Sequence, residues 1–113
     1  MSAPREVSVV LLPVGEPARV VRIPNTLEAL QGLVGGYIED VGALRPRLVV
    51  LGNEDGIALG LPARVVRLRG MREGTFRYVE LRGALVVNRV DSEGDMVDVT
   101  EVDVRHARGC VMF

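Results

Sequence analysis

Short runs of β-branched and aliphatic residues, closed by proline or glycine, limit the folds open to this sequence. Residues 6–12 end at Pro13, and a second run, residues 18–23, ends at Pro24. Runs of this length suit buried strands better than buried helices. The connection between them contains two prolines and a glycine. We therefore predict an opening β-hairpin.

One stretch changes to helical spacing. Apolar residues recur on one helical face from Leu27 to Val34, and a glycine pair that suits a left-handed C-terminal cap follows. Asn25 precedes the first turn and Glu28 lies three residues later, which predicts a capping box. We predict a helix over residues 26–34 that packs on the sheet.

Two further pairs of apolar runs predict two more hairpins. Residues 47–51 and 57–59 flank a turn-forming cluster at 52–56. Residues 84–87 and 95–99 flank an acidic turn in the same way.

The remaining segments are less clear. Residues 37–39 suit a short strand. In residues 64–82 the apolar residues show no clear helical or strand spacing. Residues 100–108 fit either a bulged strand or a capped helix, and we favour a short helix. The predicted fold is α+β: a small mixed, mainly antiparallel sheet with one main helix packed on it and, if the second alternative holds, a short C-terminal helix.

Composition indicates one globular domain, residues 1–113, with 48% hydrophobic and 26% charged residues. No signal-like N-terminus and no apolar run near the ~20 residues of a membrane helix is present, so we expect a cytoplasmic protein without a membrane partner. A single cysteine, Cys110, excludes an internal disulfide framework. We expect no cofactor and no metal site.

The basic residues are all arginine, which indicates a high-GC genome, and the net charge is −1. Residues 64–89 contain seven arginines and two glutamates, whereas residues 91–103 contain six acidic and no basic residues. The basic segment suits phosphate binding, as in a nucleic acid or a nucleotide. Alternatively, the two segments neutralise each other as neighbouring strands. We favour neutralisation, because the chain lacks the basic excess of nucleic-acid binders.

Three segments resemble one known family. They are residues 25–39, residues 53–62 with the pattern Asn-Glu-Asp-Gly and then Leu-Gly-Leu-Pro, and residues 83–87. Together they are similar to the domain of unknown function 3846, whose members are encoded largely by phages, plasmids and mobile elements of bacteria. The family usually has Asn-Arg after Leu-Pro, where this chain has Ala63-Arg64, so only the arginine carries over. The resemblance implies a fold and a genomic setting but no activity.

Polar residues within or beside these segments form the candidate ligand or partner site. They are Asn25, Gln31, Tyr37, Glu39, Asn53 and Arg64. Helix capping or turn geometry explains Asn25 and Asn53 equally well. If they serve function, we expect Asn25, Gln31, Tyr37 and Asn53 to gather beside the glycine pair that ends the helix.

The chain has no nucleophile elbow, phosphate loop or paired-histidine motif, so we predict no catalytic residues and no enzyme. The leading hypothesis is a non-catalytic binding or regulatory protein of a phage or mobile element that acts on a host protein or a small ligand. One alternative is a nucleic-acid or nucleotide binder that uses residues 64–89. The least favoured is a small enzyme with carboxylate acid–base residues. Because a small sheet leaves its edges open, we also expect a homodimer.

Aromatic residues are few, but Phe76 and Tyr78 flank Arg77. Arginine between aromatics is typical of surfaces that stack on single-stranded nucleic acid. Two aromatics at alternate positions usually mark one face of a strand, and we favour that interpretation.

Overall fold

The computed structural model describes residues 5–112. Within this range the chain forms ten elements, in the order β1 (Glu6–Leu12), β2 (Arg19–Pro24), α1 (Leu27–Val34), β3 (Ile38–Arg45), β4 (Leu48–Asn53), β5 (Ala63–Arg69), β6 (Phe76–Arg82), β7 (Leu85–Val90), β8 (Met96–Val97) and α2 (Glu101–Cys110).

The strands form two sheets. The main sheet has the order β2-β1-β7-β4-β3, with β8 added beside β7, and β5 pairs with β6 in a separate hairpin. All strand pairs within residues 5–112 are antiparallel. The predicted α+β class, with a mainly antiparallel sheet, a main helix and a C-terminal helix, is confirmed.

Side chains alternate along each strand, so the main sheet buries both of its faces. Val9 and Leu11 of β1 pack in one cluster with Leu30 of α1. Val10, between them in sequence, packs in a second cluster with Leu68 of β5. We call these the α1 face and the hairpin face. The sheet therefore lies between α1 on one side and the β5–β6 hairpin with α2 on the other.

Helix α1 begins one residue later than the capping prediction placed it. Thr26 is the N-cap, and its Oγ1 accepts a hydrogen bond of 3.2 Å from the amide of Ala29. The capping role predicted for Asn25 is wrong. Its backbone amide continues the β1–β2 pairing by donating to the Arg5 carbonyl, and its Nδ2 donates to the Met96 carbonyl. The predicted C-terminal cap is confirmed, since Gly35 is left-handed with φ 80°.

The predicted pairing of residues 47–51 with residues 57–59 is wrong. Strand β4 pairs with β3 on one side and with β7 on the other. Both edges of β4 are therefore occupied, and residues 54–60 form successive turns instead of a return strand. Strand β3 is correspondingly longer than the predicted residues 37–39.

The structure decides between the strand and the helix that residues 100–108 both allowed. The stretch that fitted both a bulged strand and a helix forms α2, with Thr100 and Asp103 in a capping box. The strand predicted at residues 95–99 is shorter, since β8 has two residues. Within residues 5–112, no helix is long and apolar enough to cross a membrane.

Candidate functional site

The predicted site residue Asn53 lies at the end of α1, where the turn after β4 meets the helix. Its Nδ2 donates to the Val34 carbonyl at 3.1 Å, and its Oδ1 accepts from the Asp55 amide at 2.8 Å. A Cβ at Gly36 would lie 3.0 Å from the same Nδ2, so the close approach favours glycine. The Asn53 amide therefore ties the helix end to the turn.

Two other predicted residues lie at this end of α1, and one lies far from it. The Tyr37 carbonyl accepts from the Glu54 amide, and the Tyr37 side chain is 67% exposed. Gln31 is half-buried in the last turn of α1. Asn25 precedes the first turn, and eight helical residues span about 12 Å. The structure thus places Gln31, Tyr37 and Asn53 near one end of α1 and Asn25 near the other.

Glu39 lies with Asn53 in a separate groove of about 340 Å³ between the β3–β4 edge and β6. Glu54 and Glu80 also line it, and Ile57 at its rim is 81% exposed. We call this depression the acidic groove. Arg82 also lines the groove and pairs with Glu80, so Glu39 and Glu54 supply its negative charge beside apolar surface.

Arg64 lies apart from the other predicted residues, beside the turn that follows β1. Its Nη1 donates to the carbonyls of Leu12 at 2.5 Å and Gly83 at 3.2 Å. Burial of the guanidinium lowers the pKa of Arg64. These bonds join β5 to the end of β1 and to the connection before β7, so Arg64 has a structural role whether or not it binds a ligand.

We predicted that the acidic segment neutralises the basic segment. One buried ion pair, Arg89 with Asp103, does so. Asp103 of α2 is fully buried, and its carboxylate accepts from Arg89 Nε at 2.6 Å and from Arg89 Nη2 at 2.7 Å. The Thr100 amide donates to the same carboxylate. The hydrogen bonds from Arg89 hold the pKa of Asp103 below its usual value. The two segments also meet as neighbouring strands where β7 pairs with β8. For β5 and β6 the prediction is wrong, because these two strands of the basic segment pair with each other.

The outer side of the β5–β6 hairpin carries exposed aromatic and basic side chains. In the strand register Arg67 lies opposite Tyr78, and Arg69 lies opposite Phe76. Phe76 is 57% and Tyr78 63% exposed. The Arg67 guanidinium carbon lies 4.7 Å from the centre of the Phe76 ring, a cation–π contact. The alternation of aromatics does mark one strand face, but that face is exposed and not packed.

Helix α2 extends this surface. A shallow depression of about 430 Å³ joins Arg67 to Arg105 and His106, which are both exposed. Glu80 lies on the same side of β6, but its carboxylate pairs with Arg82 at 2.7 Å. We call the surface formed by the following six residues the basic aromatic face: Arg67, Arg69, Phe76, Tyr78, Arg105 and His106.

A further groove lies on the α1 face of the main sheet, beyond the N-terminus of α1. Its volume is about 470 Å³, and its lining includes Asn25, Leu30, Leu51 and Asn88. Asn88 is 4% exposed, and its Oδ1 has no donor within residues 5–112. We call this depression the Asn88 groove. Sequence reasoning missed Asn88, although an asparagine inside the apolar strand β7 is an available signal.

Within residues 5–112, the metal-ligating and nucleophilic side chains considered next are explained by the fold itself. Burial raises the pKa of Cys110 to about 11, so its thiol stays protonated and unreactive. The carboxylates of Asp91, Glu93 and Asp95 approach within 4.8 Å of one another. Asp91 Oδ1 accepts from the amides of both other residues, so the turn itself accounts for their proximity.

These features define a small α+β protein with several ligand-sized depressions and one basic, aromatic surface. The family described as domain of unknown function (DUF3846) matches residues 7–109, and the chain belongs to this family. No curated protein and no solved structure gives a significant match. A function for this chain can therefore be inferred only from the surfaces of its own structure.

Proposed function

We propose that this chain is a non-catalytic binding protein and that its basic aromatic face binds single-stranded nucleic acid. The observation that carries the proposal is the exposure of Phe76 and Tyr78 on one side of β6, next to Arg67 and Arg69 of β5. Large aromatic side chains are costly to leave in water without a partner. Their pairing with arginine selects a ligand that has both flat rings and negative charge.

Single-stranded nucleic acid has both properties. Each base offers a π-face, and stacking on an aromatic side chain contributes about 1–3 kcal/mol per base. Alternate residues of a strand are about 7 Å apart, so Phe76 and Tyr78 suit neighbouring bases of an extended strand. Arginine binds phosphate through two parallel hydrogen bonds. The contact with Phe76 also restrains Arg67, which lowers the entropy lost on binding.

The net charge of −1 indicates that any attraction to phosphate is local. Arg67, Arg69 and Arg105 together supply about three phosphate contacts, so the logarithm of affinity should fall with the logarithm of salt with a slope of about −2. Binding is therefore expected to be weak at physiological salt and strongest at low salt.

Fluorescence anisotropy with labelled single-stranded oligonucleotides at low salt tests the proposal. Phe76→Ala and Tyr78→Ala should each weaken binding by roughly 5- to 150-fold, the equivalent of one stacked base. Tyr37→Ala is the matched control, because Tyr37 is as exposed as Tyr78 but lies at the end of α1. No anisotropy change with the unmodified protein, or equal losses in Tyr37→Ala and Tyr78→Ala, would overturn the proposal.

A host protein is a second candidate partner, and the acidic groove supports it. Exposed Ile57 beside Glu39 and Glu54 suits a segment with both basic and apolar side chains. Ile57→Asp should abolish capture of such a partner from bacterial lysate while leaving oligonucleotide binding unchanged. Capture that is identical for Ile57→Asp and the unmodified chain would remove this candidate.

We also propose a genomic origin, a cellular location and an oligomeric state for this protein. The family resemblance supports an origin in a phage or mobile element with a high-GC genome, and a chain with one cysteine suits the reducing cytoplasm. A homodimer is proposed through an outer strand of the main sheet, since β2 and β3 end the strand order. Light scattering at monomer mass would contradict the dimer. No catalytic residue, cofactor or metal forms part of the proposal.

A further inference from the structure

A groove of about 600 Å³ lies where the turn after β1 meets the start of β5 and the end of α2. Its charged lining residues are Arg64, Arg108 and Glu16. We call this depression the Arg64 groove. The rest of its lining is glycine, proline or aliphatic, namely Leu12, Pro13, Val14, Gly15, Pro17, Ala18, Ala63, Ala107 and Val111.

Arg64 brings a positive charge into this apolar surrounding. Val66 and Leu68 follow it at alternate positions of β5 and are fully buried, so Arg64 lies on the inner side of the hairpin. None of the ion pairs within residues 5–112 includes Arg64. A guanidinium that is withdrawn from water loses hydration, and here no carboxylate of the protein replaces it. The fold therefore leaves a partly buried cation without a counter-charge.

The hydrogen bonds of Arg64 leave one edge of its guanidinium unused. Nη1 donates to the carbonyls of Leu12 and Gly83, and Leu12 also lines the groove. Nε and Nη2 donate to no group of residues 5–112, yet neither is among the buried atoms that lack a partner, so both are open to solvent. Through this same edge, Nε and Nη2, Arg89 holds the carboxylate of Asp103 at 2.6 and 2.7 Å. The edge of Arg64 can receive a carboxylate from outside the protein in the same way.

The remaining charges limit the charge of a ligand. Arg108 and Glu16 are both exposed and opposite in sign, so the net charge of the lining is that of Arg64. One negative charge neutralises it, whereas a second would be repelled by Glu16. The lining contains no aromatic side chain on which a ring could stack. The groove therefore favours a monoanion with an aliphatic body.

We propose that the Arg64 groove binds an aliphatic monocarboxylate, whose carboxylate pairs with Nε and Nη2 of Arg64 and whose hydrocarbon chain lies along the aliphatic lining. A planar edge with two parallel N–H donors matches the two oxygens of a carboxylate. This inference does not rest on the proposed function, because Arg64 is on the inner side of the hairpin and the basic aromatic face is on its outer side.

Nuclear magnetic resonance titration with octanoate tests the inference. Octanoate should shift the Nε–H signal of Arg64 and leave that of Arg89 unchanged. Octanamide has the same chain but no charge, so it should bind at least about tenfold more weakly. Octyl phosphate carries a second negative charge and should bind no more tightly than octanoate.

Two variants locate the bound octanoate. Arg64→Lys keeps the charge but lacks the two-donor edge, so it should weaken octanoate binding by about tenfold. Ala63→Trp fills the groove from an exposed position and should weaken binding to a similar extent. Arg72→Lys is the matched control, because it makes the same change in the exposed turn at the other end of the hairpin.

Several results would overturn the inference. They are an unshifted Arg64 signal, equal binding of octanoate and octanamide, tighter binding of octyl phosphate, and equal octanoate binding by Ala63→Trp and the unmodified chain. The comparison of the three ligands needs no variant, so the test stands even if Arg64→Lys does not fold.

Discussion

Asn88 and Arg89 are neighbours in β7 that face opposite sides of the main sheet, and their surroundings differ sharply. Arg89 faces α2, where the buried carboxylate of Asp103 accepts two of its hydrogen bonds. Asn88 faces the α1 side, where its amide oxygen has no partner within residues 5–112. The hairpin face thus satisfies its buried polar groups. The α1 face keeps one without a partner, which the stability of the fold does not require.

The largest expected effect concerns the packing of α1. Leu30 is 6% exposed in the core of the α1 face, so Leu30→Asp buries an unpaired charge and should destabilise the protein by about 4 kcal/mol. Leu27→Asp, in the same helix but at a residue that is 53% exposed, should cost less than about 1 kcal/mol. Urea unfolding measures both. Similar losses for the two variants would show that α1 does not pack through Leu30.

The next largest effect concerns the ion pair between Asp103 and Arg89 on the hairpin face. Asp103→Ala leaves Arg89 without its carboxylate and removes half of the α2 capping box, so we expect a loss of about 3 kcal/mol. Glu101→Ala removes an exposed carboxylate from the same turn and should cost less than about 0.5 kcal/mol. Equal melting temperatures for the two variants would mean that the buried pair contributes nothing.

The same carboxylate predicts a pH dependence. The pKa of Asp103 is lowered from 3.8, chiefly by the hydrogen bonds from Arg89. A carboxyl with a depressed pKa in the folded state stabilises the fold fully above its unfolded pKa, and this stability is lost as pH falls through the folded value. The stability difference between the unmodified chain and Asp103→Asn should therefore be full at pH 7 and shrink below about pH 4. A difference in urea midpoint that stays constant to pH 2 would exclude this linkage.

The smallest effect gives the sharpest contrast between the two faces. Asn88→Leu replaces an unpaired buried amide by a side chain of similar size, so stability should stay within about 1 kcal/mol and rise if it changes. Arg89→Leu, one residue further on, strands the buried Asp103 and should cost about 3 kcal/mol. Thermal unfolding of the two variants measures the difference. Losses of equal size would show that Asn88 is a structural residue like Arg89.

The sequence by itself determined the features that depend on neighbouring residues. The strand before Pro13 and the helix that ends at the glycine pair follow from local spacing and turn chemistry, and the capped start of α2 was the favoured of two alternatives. Together with the family resemblance, they were sufficient for the α+β class. Asn53 was correctly placed beside the helix end, because the glycines there demand a close approach.

The β1–β2 and β7–β8 hairpins were predicted from the sequence, but only the tertiary structure decided how the other strands pair and which side chains face solvent. Strand β4 is paired on both edges by β3 and β7, and β7 is distant in sequence, so no local pattern could show that residues 57–59 lack a partner. The same holds for Arg64, whose hydrogen bonds reach back to Leu12. It also holds for Phe76 and Tyr78, since alternation defines a strand face but not what covers it. Asn88 was not predicted as a site residue. Whether its amide oxygen has a hydrogen-bond donor depends on all the elements that pack around it, which the sequence does not show.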